Sequence, residues 1–154
     1  MCWGEVRMTK MQKILVVDDA QLNRELLCQM LEGDYAIDTA EDGVAALEKL
    51  REGHRDVAAL LLDLQMPNAD GFAVIGEMNA NGWLNSIRVL IISSEHSVEV
   101  VNRCLAMGAV DFIHKPFEGS IVRNRIRNAI ALFAGRNSLE QKVEEQAQVL
   151  KYQS

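Results

Sequence analysis

Short unbroken apolar runs constrain this chain more than any other feature. They are Ile14 to Val17, Val57 to Leu62, Val89 to Ile92 and the weaker Asp111 to His114. Runs of this length without alternation fit strands buried on both faces rather than half-solvated ones. Tyr35 to Ala40 adds a fifth strand-like stretch. Between these stretches the apolar residues return at helical spacing, first as Leu22, Leu26, Leu27, Met30 and Leu31. A second helix is predicted from Gly43 to about Leu50 through Val44, Ala46 and Leu47, and a third over roughly Phe72 to Met78. The fourth is predicted from Val98 to Met107, stopping at Gly108, a residue suited to the left-handed conformation past a helix end. The fifth begins near Ser120. Strands and helices therefore alternate five times. Parallel strands need crossover connections, and right-handed crossovers place helices on both faces, so the pattern predicts an α/β fold with a doubly wound parallel sheet.

The composition removes several classes of function. A chain of 154 residues holds one ordinary domain with a short appendage, large enough to bury a core without a metal or disulfide staple. Its 16 Lys and Arg against 22 Asp and Glu leave a net charge of -6, which disfavours direct nucleic-acid binding. Cys2, Cys28 and Cys104 are odd in number and form no C-x-x-C pair, so neither a disulfide framework nor a zinc site is expected. No apolar stretch approaches the ~18 residues of a membrane span, and the first ten residues lack a signal-peptide core. A cytoplasmic setting with no membrane partner is the expectation. Residues 1–10 show no periodicity and are expected to be a disordered leader. Ala129, Leu132, Arg136, Leu139, Val143, Gln146 and Leu150 are spaced like a heptad seam. Residues 136–154 are therefore expected to form a helical, coiled-coil-like extension or linker, or a lone solvated helix, beyond a domain spanning 11–135.

In an open α/β sheet the ligand site lies beyond the carboxyl ends of the strands. The first strand ends in Asp18-Asp19, the third in Asp63, the fourth in Ser93-Ser94 and the fifth in Lys115-Pro116. One edge of the sheet would thus gather three carboxylates, a hydroxyl and an ammonium. Two carboxylates about 4 Å apart repel by roughly 4 kcal/mol at an effective dielectric of ~20, so such a cluster calls for a cation. Oxygen ligands without His or Cys favour a hard metal, and few protein ligands favour Mg²⁺, which keeps waters and prefers phosphate oxygens beside it. Phosphoryl chemistry follows, with Asp63 as a carboxylate nucleophile and Lys115 neutralising the oxygens of the transferred group. Taken singly, each residue has a plainer reading. Asp19 could cap a turn or helix, Lys115 could be a surface charge, and Ser93 or Ser94 could cap the helix starting near Val98. Their convergence at successive strand ends favours a shared site.

Five sequence blocks carry a family resemblance. They are Ile-Leu-Val-Val-Asp-Asp at 14–19, Ala-Glu-Asp-Gly at 40–43 followed by Ala46-Leu47, Leu-Leu-Asp-Leu-Gln-Met-Pro at 61–67 with Asp70-Gly71, Ile92-Ser93, and Gly108-Ala109 through Lys115-Pro116-Phe117. In this order and spacing the chain from about Met11 to Phe133 resembles the receiver domain of two-component response regulators. The resemblance implies a flavodoxin-like (βα)5 fold with strand order 2-1-3-4-5 and a reversible aspartyl phosphate on Asp63, received from a histidine kinase or a histidine phosphotransfer protein. It implies Mg²⁺ bound directly by Asp19, Asp63 and the Gln65 backbone carbonyl, with Asp18 acting largely through water. Ser93 would turn toward the phosphoryl oxygens, Lys115 would pair with them, Phe112 would be the aromatic switch, and the Lys115-Pro116 bond would be cis. Phe112 stands where many relatives carry Tyr, so the switch would work through packing alone. Gln65 and Glu95 resemble positions that tune how water reaches the aspartyl phosphate.

Other residues receive structural readings. His114 should face away from Lys115 by strand alternation, Met66 packs a loop, Pro67 and Gly71 shape a turn, and Cys28 and Cys104 fill core space. Arg123, Arg125 and Arg127 read as a solvated face that could form salt bridges across a dimer. Two alternatives compete. A Mg²⁺-dependent phosphatase of the haloacid dehalogenase type also forms an aspartyl phosphate, but its nucleophile lies on the first strand with a second acid two positions on. A flavin or nucleotide binder should show G-x-G-x-x-G or G-x-x-x-x-G-K-[ST], and neither is present. The chain is therefore expected to be a phosphoacceptor switch rather than a turnover enzyme. Too few residues follow the fifth helix for a helix-turn-helix domain, so output is expected through a homodimer of the fourth helix, fifth strand and fifth helix, extended by the C-terminal helix. That helix would lead to an effector absent from this chain, or the receiver would act alone.

Overall fold

The computed structural model describes residues 12–64, 70–95 and 97–131. The expected leader at 1–10 and the heptad extension at 136–154 lie outside the described residues. The elements run β1 (Lys13–Val17), α1 (Gln21–Leu31), β2 (Ala36–Ala40), α2 (Gly43–Gly53), β3 (Val57–Asp63), α3 (Gly71–Ala80), β4 (Arg88–Ser93), α4 (Val98–Met107) and β5 (Asp111–His114). A fifth helix, α5, is described over 119–131. The five strands form one sheet in the order β2-β1-β3-β4-β5, and every neighbouring pair is parallel. This is the doubly wound flavodoxin-like order that the family resemblance implies.

The unbroken apolar runs are explained by two layers. Leu15, Val17, Leu60, Leu62, Val89 and Ile91 point to the side covered by α2, α3 and α4, where they meet Ala46, Leu50, Val74, Ile75, Met78 and Cys104. Ile14, Val16, Ala59, Leu61, Leu90, Ile92 and Ile113 point to the other side, against Leu27 and Leu31 of α1 and Val122, Ile126 and Ala129 of α5. Within the apolar runs of β1, β3 and β4 successive residues serve opposite layers, so those positions stay apolar until the strand ends, whereas β2 at the sheet edge carries Asp38 and Thr39. Each fully buried Leu or Ile contributes roughly 1.5–3 kcal/mol relative to exposure. The polar strand ends therefore sit on a stiff apolar support.

The element boundaries depart from the expected ones for local reasons. α3 begins at Gly71 rather than Phe72 because the Asp70 carboxylate caps it, accepting from the Ala73 N–H at 2.9 Å. Asp42 caps α2 in the same way, accepting from the Ala45 N–H at 2.8 Å. α2 continues past Leu50 to Gly53 and passes into a single 3₁₀ turn at His54–Asp56. There the His54 Nδ1 lies 3.1 Å from the Leu50 carbonyl and its ring stacks on Trp83, centroids 5.2 Å apart. β2 starts one residue later than expected, because Tyr35 makes an isolated bridge with Glu32.

The stop at Gly108 is the predicted one. Its φ of +119° lets the Ala109 N–H turn back to the Cys104 carbonyl at 3.0 Å, which closes α4 and aims the chain into β5. A Cβ at this position would also sit 2.8 Å from Leu84 Cδ1. Gly108→Ala is therefore expected to lower stability by about 1–2 kcal/mol, seen as a lower urea midpoint at unchanged slope.

Candidate functional site

The site is assembled where the apolar strands run out. Asp18 follows the last residue of β1, and its N–H donates to the Ala40 carbonyl at 3.2 Å, so the sheet still holds its backbone. Asp63 is the last residue of β3. Carboxylate oxygens of Asp18, Asp19 and Asp63 all lie within 4.8 Å of one another, with Asp18 and Asp63 buried and Asp19 exposed. Lys115 enters from beyond β5 and places its Nζ 3.4 Å from Asp18 Oδ2 and 3.3 Å from Asp63 Oδ2. The ammonium is thus shared between the two buried acids. Three carboxylates facing one shared ammonium leave the cluster electronegative, and an oxygen-only donor set of this kind could hold a hard divalent cation.

Ser93 and Lys115 are tied through the sheet. Ser93 is the last residue of β4 and fully buried, and its carbonyl accepts from the Lys115 N–H at 3.0 Å. Its hydroxyl oxygen accepts from the Glu95 N–H at 3.1 Å. Neither Ser93 nor Ser94 caps α4; Ser97 does, accepting from the Val100 N–H at 3.3 Å. The Lys115-Pro116 peptide is cis. Phe112 lies half-buried on the layer under α2, α3 and α4, and its ring meets His114 edge to face with centroids 5.5 Å apart. His114 itself is exposed. Asp19 is not a helix cap: Ala20 occupies the N-cap of α1, with no side-chain capping bond. Gln65 lies outside the described residues.

Two residues at the site are not among those the sequence points to. Asn23 donates its side-chain amide to Asp18 Oδ2 at 3.3 Å, and the Arg24 guanidinium donates to the Asp18 carbonyl at 2.7 Å. Asp18 Oδ1 accepts from the Ala20 N–H at 2.9 Å. The available signal is two polar residues in the first turn of α1, close to a strand-ending acid, and the apolar stripe of the same helix overshadows it. Arg125, expected on a solvated face, pairs with Asp111 of its own chain at 2.9 Å.

Gly71 supports the site by its lack of a side chain. Its N–H donates to the Leu64 carbonyl at 3.2 Å, and a Cβ there would lie 2.9 Å from both the Asp63 carbonyl oxygen and Leu64 Cα. A Cβ added at Gly76, in the same helix, would meet nothing within 4 Å. Gly71→Ala is expected to cost about 1–3 kcal/mol by forcing the backbone behind Asp63 to move. Gly76→Ala should instead add about 0.5–1 kcal/mol. Paired urea titrations of the two variants measure the contrast.

Comparison with known proteins bears on the same strand ends. The family described as response regulator receiver domain matches residues 14–127. A protein-glutamate methylesterase/protein-glutamine glutaminase from Koribacter versatilis is 40% identical over 111 residues, covering 70% of this chain but 30% of that protein. The chain therefore spans under a third of the length of the methylesterases it matches. The two-component response regulator ORR3 of Oryza sativa is 33% identical, covering 77% of this chain and 90% of that protein. Among solved structures, the chemotaxis protein CheY4 of Vibrio cholerae superposes with a TM-score of 0.72 at 26% identity, covering 77% of this chain and 98% of that one. A CheX-CheY-BeF3-Mg²⁺ complex from Borrelia burgdorferi matches with a TM-score of 0.71 at 30% identity, covering 76% and 87%.

Proposed function

Because the chain belongs to the response regulator receiver family, we propose that it is a phosphoacceptor switch of two-component signalling whose reacting group is the Asp63 carboxylate. The observation that carries this reading is the shared ammonium: Lys115 Nζ stands 3.3 Å from Asp63 Oδ2, inside a cluster of three carboxylates. A histidine kinase or histidine phosphotransfer protein would present a phosphohistidine. One Asp63 oxygen attacks phosphorus, the P–N bond breaks, and the imidazole leaves, giving an acyl phosphate on Asp63. Water later cleaves that acyl phosphate, returning the carboxylate and orthophosphate.

Asp19 and Asp63 would hold Mg²⁺ directly, joined by the Gln65 carbonyl, with Asp18 acting largely through water, and this oxygen-only, closely spaced donor set fits that ion. When bound, Mg²⁺ supplies the positive charge that allows a phosphate group to approach acids. Lys115 then pairs with the incoming phosphoryl oxygens, and Ser93, hydrogen-bonded through its carbonyl to the Lys115 backbone, turns its hydroxyl toward them. Phe112 follows by packing into the space near Ser93. Both moves shift a pre-existing equilibrium on the face of α4, β5 and α5. Val98 and Leu105 of α4, Val110 just before β5 and Ile121 of α5 are exposed, and we propose a homodimer through these elements, extended by residues 136–154 into an effector or serving a receiver that acts alone. No helix among the described residues is long and apolar enough to cross a membrane; a cytoplasmic setting is part of this proposal.

Incubation with acetyl phosphate and Mg²⁺ tests the chemistry. The protein should gain about 80 Da on Asp63 and hold it for a measurable time, and Asp63→Asn should abolish the gain. Continuous orthophosphate release without a lasting adduct would favour a phosphatase instead. Sedimentation of the chain with and without residues 136–154 checks the pairing: a smaller assembly on truncation is expected, and equal assembly states would exclude a role for that segment.

A further inference from the structure

Asp18 is 2% exposed, and its two carboxylate oxygens receive three donors. Oδ1 takes the Ala20 N–H at 2.9 Å, and Oδ2 takes both the Asn23 amide at 3.3 Å and the Lys115 ammonium at 3.4 Å. Lys115 lies equally close to Asp63, at 3.3 Å. Any group built on Asp63 that draws the ammonium toward itself removes one of the two donors from Asp18 Oδ2. A buried carboxylate oxygen left without a donor is heavily penalised.

We propose that Asn23 is a positioning residue for phosphoryl transfer: its amide keeps Asp18 Oδ2 hydrogen-bonded while Lys115 leaves it, so that the lysine is free to pair with the group on Asp63. The proposal rests on the reading of Asp63 as phosphoacceptor. The residue type suits this role. A neutral amide donates without cancelling the negative charge that a cation needs, as a Lys or Arg at this position would. Its placement is fixed from two directions. Asn23 is half-buried in the first turn of α1, which Leu27 and Leu31 dock on the sheet, and its neighbour Arg24 grips the carbonyl of the same Asp18 at 2.7 Å. The carboxylate and the backbone of Asp18 are therefore held by adjacent residues of one helix turn.

The test uses the whole chain, acetyl phosphate and Mg²⁺, with intact mass as the readout. In the step observed, an Asp63 oxygen bonds to phosphorus, the bond from phosphorus to the acetyl oxygen breaks, and acetate leaves. Asn23→Leu, close in size but without a donor, should slow phosphorylation about tenfold, and Asn23→Gln, which keeps the amide, should stay within about threefold of the parent. In a Lys115→Met background there is no ammonium to release, so Asn23→Leu should then change the rate by less than about twofold. Mg²⁺ binding to the unphosphorylated protein, measured by calorimetry, should also change less than about twofold, because Lys115 still covers Asp18 in that state. Urea titration shows that each variant is folded, and Asn23→Ala repeats the comparison if the leucine variant is not. A rate within twofold of the parent, an undiminished loss in the Lys115→Met background, or a tenfold fall in Mg²⁺ affinity would each overturn the role of Asn23. Failure of the parent protein to gain mass, or an equal gain by Asp63→Asn, would instead overturn the reading of Asp63.

Discussion

The structure depends on holding like charges together against their repulsion. Carboxylate oxygens of Asp18, Asp19 and Asp63 lie within 4.8 Å of one another, a separation at which each pair repels by a few kcal/mol at an effective dielectric of ~20. Burial of Asp18 and Asp63 makes the repulsion worse, because water is excluded from their near sides. Three features offset it. The Lys115 ammonium sits between the two buried acids, donors from Ala20 and Asn23 occupy the Asp18 oxygens, and the strands that carry the acids cannot move apart. That last constraint comes from the two apolar layers, which bury β1 and β3 on both faces. The core thus holds these charges at close range.

The same rigidity ties the site to the neighbouring elements of the sheet. β4 and β5 are in register, with Ile91 beside Phe112 and Ser93 beside His114. Ser93 is tied to Lys115 by the backbone hydrogen bond between them, and Phe112 packs on the apolar layer beside Ile91. α4 is not loose on this surface. The Arg103 guanidinium lies 3.9 Å from the centre of the Phe72 ring, linking α4 to the start of α3, whose cap Asp70 and first residue Gly71 adjoin the end of β3. β5 is in turn linked to α5 by the Asp111–Arg125 pair. The elements bearing the exposed apolar residues are thereby attached to the strand ends that carry the charges.

Most of this fold was legible in the sequence because its physics is local. Unbroken apolar runs are possible only for strands covered on both faces, and the glycine at 108 marks a stop that few other residues tolerate. Strand order was not readable from periodicity and came through the family resemblance. The acids and Lys115 were legible because each ends a strand, and a parallel sheet brings all such ends to one edge. Asn23 and Arg24 were not, since a polar residue in the first turn of a helix is ordinarily solvated, and only the packing of α1 decides that these two face inward onto Asp18. The plainer reading of Asp19 as a cap failed for a related reason: α1 starts at Gln21 with Ala20 before it, so the acid falls outside the capping position.

The two adjacent acids after β1 differ more than their sequence suggests. Asp18 is buried and already receives a backbone N–H, an amide and an ammonium on its two oxygens, which leaves little capacity for a further direct ligand. Asp19 is exposed at the mouth of the cluster. Asp19 is thus the acid of the cluster that solvent reaches, while the oxygens of buried Asp18 already hold protein donors. On the proposed reading, Asp19 and Asp63 would bind a cation directly and Asp18 would contribute charge. Burial also accounts for the donors that gather on Asp18: a carboxylate in the interior needs hydrogen-bond partners on its oxygens, and Ala20, Asn23 and Lys115 supply them.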